Sequence, residues 1–262
     1  YLIPNLLTTG NLFSGLASIL FVFKGDFQAA AIAIFVAIIF DTLDGTSARL
    51  MNGTSQFGVQ YDSLSDLISF GVAPGLLIYV WALNIPELGG LSKMVGPAVM
   101  FAFVACGALR LARFNVSTSS GDEKAFTGLP IPGAAGVIAA LVIFGEHSET
   151  VLGYQLTPFD ETSRATIGIV VGLLMAFLMV STIKYPSIKG LKFQESHHFN
   201  YLVYAVLIFI PVIVIHQLML LVLFGGYALS GIMNQGYQVF VKTFVKRKDP
   251  NATSEALKES KD

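Results

Sequence analysis

Asp41-Thr-Leu-Asp44-Gly45-Thr-Ser-Ala48-Arg49, followed after eight residues by Gly58-Val-Gln-Tyr-Asp62-Ser-Leu-Ser-Asp66, decides how this chain is read. Both halves sit in apolar windows, 28–48 and 58–83, and about 20 such residues suffice for a helix to cross a bilayer. Carboxylates are costly in that setting, so a cluster of them points to function. At about 100° per residue, Asp41, Asp44, Gly45 and Ala48 share one helix face, with Arg49 just beyond it. Gly58, Asp62 and Asp66 recur at i, i+4 and i+8 on one face of the next helix. The short connection makes these helices antiparallel neighbours, which brings the two acidic faces together.

Four anions in low dielectric repel one another, and either shared protons or bound cations must relieve them. An all-oxygen ligand set of Asp41, Asp44, Asp62 and Asp66 favours Mg²⁺ or Mn²⁺ over zinc. Gly45 and Ala48 clear a groove beside these acids where a flat ring could lie against the backbone, although small residues also serve close helix packing. Arg49 carries a planar fork suited to phosphate oxygens, or else anchors the helix end.

The rest of the chain has the same solvent preference. Of its 262 residues 54% are hydrophobic and only 13% charged, so water is not the main solvent. The windows 4–23, 28–48, 58–83, 94–114, 130–146, 165–184, 199–215 and 217–234 predict an all-α, polytopic membrane bundle of about eight helices. Only His216 and Gln217 divide the last two, so one long kinked segment is the alternative. Leu2 to Phe23 lacks a basic leader and a small-residue cleavage site and reads as a spanning helix, not a signal peptide.

With both termini in the cytoplasm, all of the sixteen Lys and Arg except Lys24, Lys93 and Arg164 fall inside, which sets the orientation. Residues 1–245 form one membrane domain, and the polar run 246–262 reads as a disordered cytoplasmic tail. A net charge of −1 with no basic domain argues against a nucleic-acid partner. Cys106, the single cysteine, reads as a small buried side chain. Trp81 is expected to anchor the outer interface.

The eight specified residues from Asp41 to Asp66 resemble the signature of the CDP-alcohol phosphotransferase family, with every fixed position at that family's spacing. Three further segments resemble its phosphatidylserine synthase branch: Arg110-Leu-Ala-Arg113-Phe-Asn115, Phe126-Thr-Gly-Leu-Pro130-Ile-Pro132-Gly133 and Tyr185-Pro-Ser-Ile-Lys189. The likeness runs from about Asn5 to about Met233.

This resemblance implies phosphatidyl transfer from CDP-diacylglycerol to L-serine, with release of CMP. It implies two divalent ions on Asp41, Asp44 and Asp62, with Asp66 contacting the second ion and acting as base. It also implies CDP contacts from Thr8, Asn11, Gly45, Ala48, Arg49 and Gly58, a homodimer, and a cell (inner) membrane location with the site facing the cytoplasm. From the residues themselves, Arg110, Arg113 and Lys189 make a cationic rim suited to an acceptor carboxylate or a lipid phosphate, with Asn115 beside it and topology anchoring as the alternative use.

Glycerol 3-phosphate or inositol phosphate as acceptor, or an archaeal lipid as donor, fits the same signature. A cation transporter is the rival from another class, since intramembrane acids also mark ion paths. Arg49 beside such a path would raise the barrier to conduction. A non-catalytic scaffold leaves the acids unexplained.

Overall fold

The computed structural model describes residues 2–50, 55–84, 89–119, 128–146, 150–151, 154–155, 159–183, 185 and 216–240. Seven helices carry these residues: α1 (Leu2–Lys24), α2 (Phe27–Leu50), α3 (Gln56–Leu83), α4 (Gly89–Ser119), α5 (Ile131–Glu146), α6 (Glu161–Val180) and α7 (His216–Phe240). All except α5 contain a stretch long and apolar enough to cross a membrane, so the chain is an integral membrane protein. Between α5 and α6 two antiparallel strands of two residues each, Thr150–Val151 and Tyr154–Gln155, are the only strands among the described residues. The window 199–215, Lys189 and the tail 246–262 lie outside the described residues.

Local chemistry sets the helix ends. Gly25, at φ +75°, turns the chain between α1 and α2, and the Asp26 carboxylate accepts the Ala29 N–H to cap α2. Ser55 caps α3 by accepting the Gly58 N–H at 2.9 Å. The sixth window was expected to run to 184, but α6 ends at Val180 because Ser181 is extended, with ψ 162°.

α3 is not uniformly α-helical. It widens into π-helix at Leu67–Val72, directly after Asp66, and again at Tyr79–Leu83. Pro74 has no N–H to give to the carbonyl four residues earlier, and the Ala73 N–H reaches the Ile68 carbonyl, five residues back.

The core centres on α5, which is buried along nearly its whole length and packs against α2, α3, α6 and α7. Trp81 belongs to this core. It is 2% exposed, its Nε1 donates to Glu146 Oε1 at 2.7 Å, and the Arg164 guanidinium lies 5.4 Å from its ring centroid. This corrects the expectation of an interface anchor. Gly145 leaves the indole room that any side chain would fill, and Glu146 supplies the acceptor a buried indole requires.

Candidate active site

α1 braces the acidic face formed by α2 and α3. The Thr8 hydroxyl lies 3.0 Å from both the Pro4 carbonyl and Asp44 Oδ2, and so can donate to either. One turn further on, Asn11 Nδ2 donates to Asp66 Oδ1 at 2.9 Å, while the Ser69 hydroxyl donates to the Asn11 carbonyl at 3.0 Å. This approach requires Gly15: a Cβ there would stand 2.3 Å from Ser69 Oγ and 2.7 Å from Ser69 Cα. Asn11 is fully buried, so its hold on Asp66 is unscreened by water. Asn11→Ala is expected to lower activity about tenfold while leaving insertion intact, as judged by a monodisperse elution profile, the scale of one hydrogen bond to a charged group.

Asp41, Asp62 and Asp66 each offer a carboxylate oxygen, and the three oxygens lie within 4.8 Å of one another. Asp62 Oδ1 is buried and has no hydrogen-bond partner among the described residues. Three converging hard oxygen donors, one of them without a protein donor, fit a divalent cation of the Mg²⁺ or Mn²⁺ type. Asp44, also expected among the ligands, lies outside this trio and is held by Thr8. Beside it, a Cβ at Gly45 would meet nothing within 4 Å, so the groove expected along α2 is open there.

Gly58 is closely surrounded, because a Cβ would stand 3.2 Å from Ser55 Oγ and 3.4 Å from Asn5 Oδ1. Ala48 and Arg49 occupy the last turn of α2, and their side chains fall outside the described residues.

The expected cationic rim divides. Arg110 lies within electrostatic reach of Asp66, Arg113, Tyr227 and Asp41, and its Nε is buried with no hydrogen-bond partner among the described residues. Arg113 turns to the end of α6, where Nη1 donates to the Val180 carbonyl at 3.1 Å and Nη2 to those of Met179 and Ser181, each at 3.4 Å. A guanidinium suits a helix C-terminus, where carbonyls lack intrahelical partners and the dipole is negative.

Gly128 completes this node. Its φ is +88°, its N–H donates to the Ile183 carbonyl at 2.8 Å, and the Leu129 N–H donates to the Leu178 carbonyl at 3.0 Å. Asn115 Nδ2 donates to Ser63 Oγ at 2.9 Å and so ties α4 to the residue after Asp62. Tyr185 donates its hydroxyl to the Ala228 carbonyl at 3.0 Å. Thus Arg113, Gly128, Asn115 and Tyr185, from the later sequence segments, all make architectural contacts.

Carboxylates gathered between two membrane helices and braced from a third define a polytopic membrane protein built around an acidic cluster that could hold a divalent cation. The chain belongs to the CDP-alcohol phosphatidyltransferase family, whose model matches residues 1–183, and it is an enzyme of that class. It is similar to a CDP-diacylglycerol–serine O-phosphatidyltransferase of Helicobacter pylori, 36% identical over 249 residues that cover 95% of this chain and 97% of the relative. An archaetidylserine synthase of Methanothermobacter thermautotrophicus is 42% identical over 191 residues, 72% of this chain and 71% of its own length. A CDP-diacylglycerol–serine O-phosphatidyltransferase of Bacillus subtilis is 32% identical over 188 residues, 71% of this chain and 91% of its own.

Proposed function

We propose that this enzyme transfers the phosphatidyl group of CDP-diacylglycerol to the hydroxyl of L-serine and releases CMP. The observation that carries the reading is the near end-to-end match to the Helicobacter pylori enzyme, whose name specifies that donor and acceptor.

In the proposed reaction, the serine oxygen attacks the phosphorus that bears the diacylglycerol. A new P–O bond forms, the bond to CMP breaks, and the hydroxyl proton passes to a carboxylate, for which Asp66 is the candidate. Asn11 keeps Asp66 turned toward the other acids. Asp41, Asp62 and Asp66, with Asp44 beside them, would hold two divalent ions. When bound, such ions neutralise the pyrophosphate and the charge developing on the leaving group. Thr8, Asn11, Gly45, Ala48, Arg49 and Gly58 are assigned to the CDP side from the family resemblance, and Arg110 to the acceptor from its charge and sequence position. Lys189 is assigned to the same rim from its sequence position alone.

The lysine and arginine asymmetry supports a cytoplasmic site and cytoplasmic termini in the cell membrane. A homodimer is proposed from the family resemblance. The archaetidylserine synthase match favours one variant of the reading, in which the donor carries an archaeal lipid.

The test is CMP release by purified protein with Mn²⁺ or Mg²⁺, using CDP-diacylglycerol or its archaeal counterpart as donor. L-serine, ethanolamine, glycerol 3-phosphate and inositol phosphate are offered as acceptors. Serine-dependent release is expected, with ethanolamine poor because it lacks a carboxylate. Efficient turnover of glycerol 3-phosphate without turnover of serine would overturn the assignment.

A further inference from the structure

α1 is tied to α3 at two points that belong to one residue. Asn11 gives its side-chain N–H to Asp66 and takes a hydrogen bond from Ser69 on its main-chain carbonyl. Asp66 and Ser69 are three apart on α3, so the two bonds close a ring that runs through α3 and back to Asn11. Every member is buried: Asn11 and Ser69 completely, and Asp66 is only 8% exposed. Water therefore offers neither bond a substitute.

The π turn of α3 places the second bond. On an unbroken α-helix Asp66 and Ser69 would lie about 60° apart around the axis. A π turn carries more residues per circuit, and Leu67–Val72 spreads the pair further, so that Asp66 meets the carboxamide of Asn11 while Ser69 meets its carbonyl. The turn is itself pinned. Phe70 is fully buried, and a Cβ at Gly71 would stand 3.1 Å from Leu67 Cδ1 and 3.9 Å from the Cδ1 of Ile131 in α5. On the α1 side, the space left by Gly15 receives Ser69.

A single hydrogen bond between two helices is a pivot, about which one can rotate or slide on the other. A second bond to the same residue removes that freedom. Asp62, by contrast, has a carboxylate oxygen with no hydrogen-bond partner among the described residues. The ring therefore distinguishes Asp66 from its neighbour in the acidic cluster.

We propose that Ser69 is a positioning residue for the chemical step: by holding the Asn11 carbonyl it fixes the carboxamide that aims Asp66. It acts through Asn11 and not on a substrate. The inference rests on Asp66 as the base in the reaction proposed above. The sequence reading missed Ser69, which falls outside the Asp41–Asp66 signature and stands as one small residue in an apolar window.

The test uses the full-length protein with Ser69→Ala, Asn11→Ala and both together. Ser69→Ala should lower kcat for CMP release on the order of fivefold, the scale of one neutral hydrogen bond. The KM for the acceptor and metal-dependent CDP binding, measured by calorimetry, should be little changed. Asn11→Ala should cost about tenfold, and adding Ser69→Ala to it should cost nothing more, because the carboxamide that Ser69 holds in place is gone. Independent effects would instead multiply to about fiftyfold. Ser14→Ala is the control: Ser14 is also buried, but its hydroxyl donates at 2.8 Å to the Gly10 carbonyl of its own helix, so kcat should be unchanged.

Multiplying losses would reduce Ser69 to a packing residue, as would an equal loss in Ser14→Ala. An unchanged kcat in Ser69→Ala would overturn the proposal, and so would a variant that no longer elutes like the wild type, since the hydroxyl would then serve the fold. Ratios are taken on whichever acceptor the wild type turns over, so a failed serine assignment leaves this test standing. Wild-type protein that releases no CMP with any acceptor would sink the functional reading instead.

Discussion

Asp62→Asn is expected to lower CMP release on the order of 10³-fold, the scale set by removing one group that stabilises charge in a transition state. Asp62 carries the buried carboxylate oxygen that has no donor among the described residues, so an amide there removes negative charge exactly where a cation fits. Asp41→Asn should behave alike, because Asp41 shares the same cluster. Asp66→Asn should differ: about 10²-fold slower turnover, the typical worth of a positioned base, with metal-dependent CDP binding retained. Steady-state CMP release and nucleotide binding by calorimetry, run on protein of unchanged elution profile, separate these outcomes. Substantial activity of Asp62→Asn at saturating metal would count against the carboxylate site, and loss of CDP binding in Asp66→Asn would mark that residue as chiefly a ligand.

Gly128→Ala should produce the largest loss of stability. A non-glycine residue in the left-handed region costs roughly 1–2 kcal/mol, and here the new methyl would also stand 2.4 Å from the Met179 carbonyl oxygen and 2.9 Å from Arg113 Nη2. Gly25→Ala is the matched control, because Gly25 also has positive φ, at +75°, but a Cβ there meets nothing within 4 Å. Thermal unfolding in one detergent should place Gly128→Ala well below Gly25→Ala. Equal melting temperatures would mean that the contacts joining α4, α6 and the start of α5 do not hold the bundle together.

Some of this architecture was legible beforehand. Periodic acids at i, i+4 and i+8 need only helix geometry to place Asp62 and Asp66 on one face, and the structure brings both to Asp41. The apolar windows foretold where α1 to α7 run, because a lipid-facing backbone must satisfy its own hydrogen bonds.

Tertiary pairing was not legible. Arg113 was read as part of an anion-binding rim, and its hydrogen bonds to main-chain carbonyls at the end of α6 are contacts that no side-chain pattern announces. Trp81 lay at the expected end of its helix, yet its burial depends on Gly145 and Glu146, more than sixty positions away. The first π-helical turn of α3 follows from Pro74 only once the neighbouring donors are seen.

The shortness of α5 has a further consequence. Sixteen residues rise only about 24 Å, less than the roughly 30 Å of hydrocarbon in a bilayer, whereas the 31 residues of α4 rise about 46 Å. A helix too short to reach both surfaces must start or stop inside the protein, where no water reaches its backbone, and the Gly128 and Leu129 N–H groups at its entrance are met by the Ile183 and Leu178 carbonyls instead.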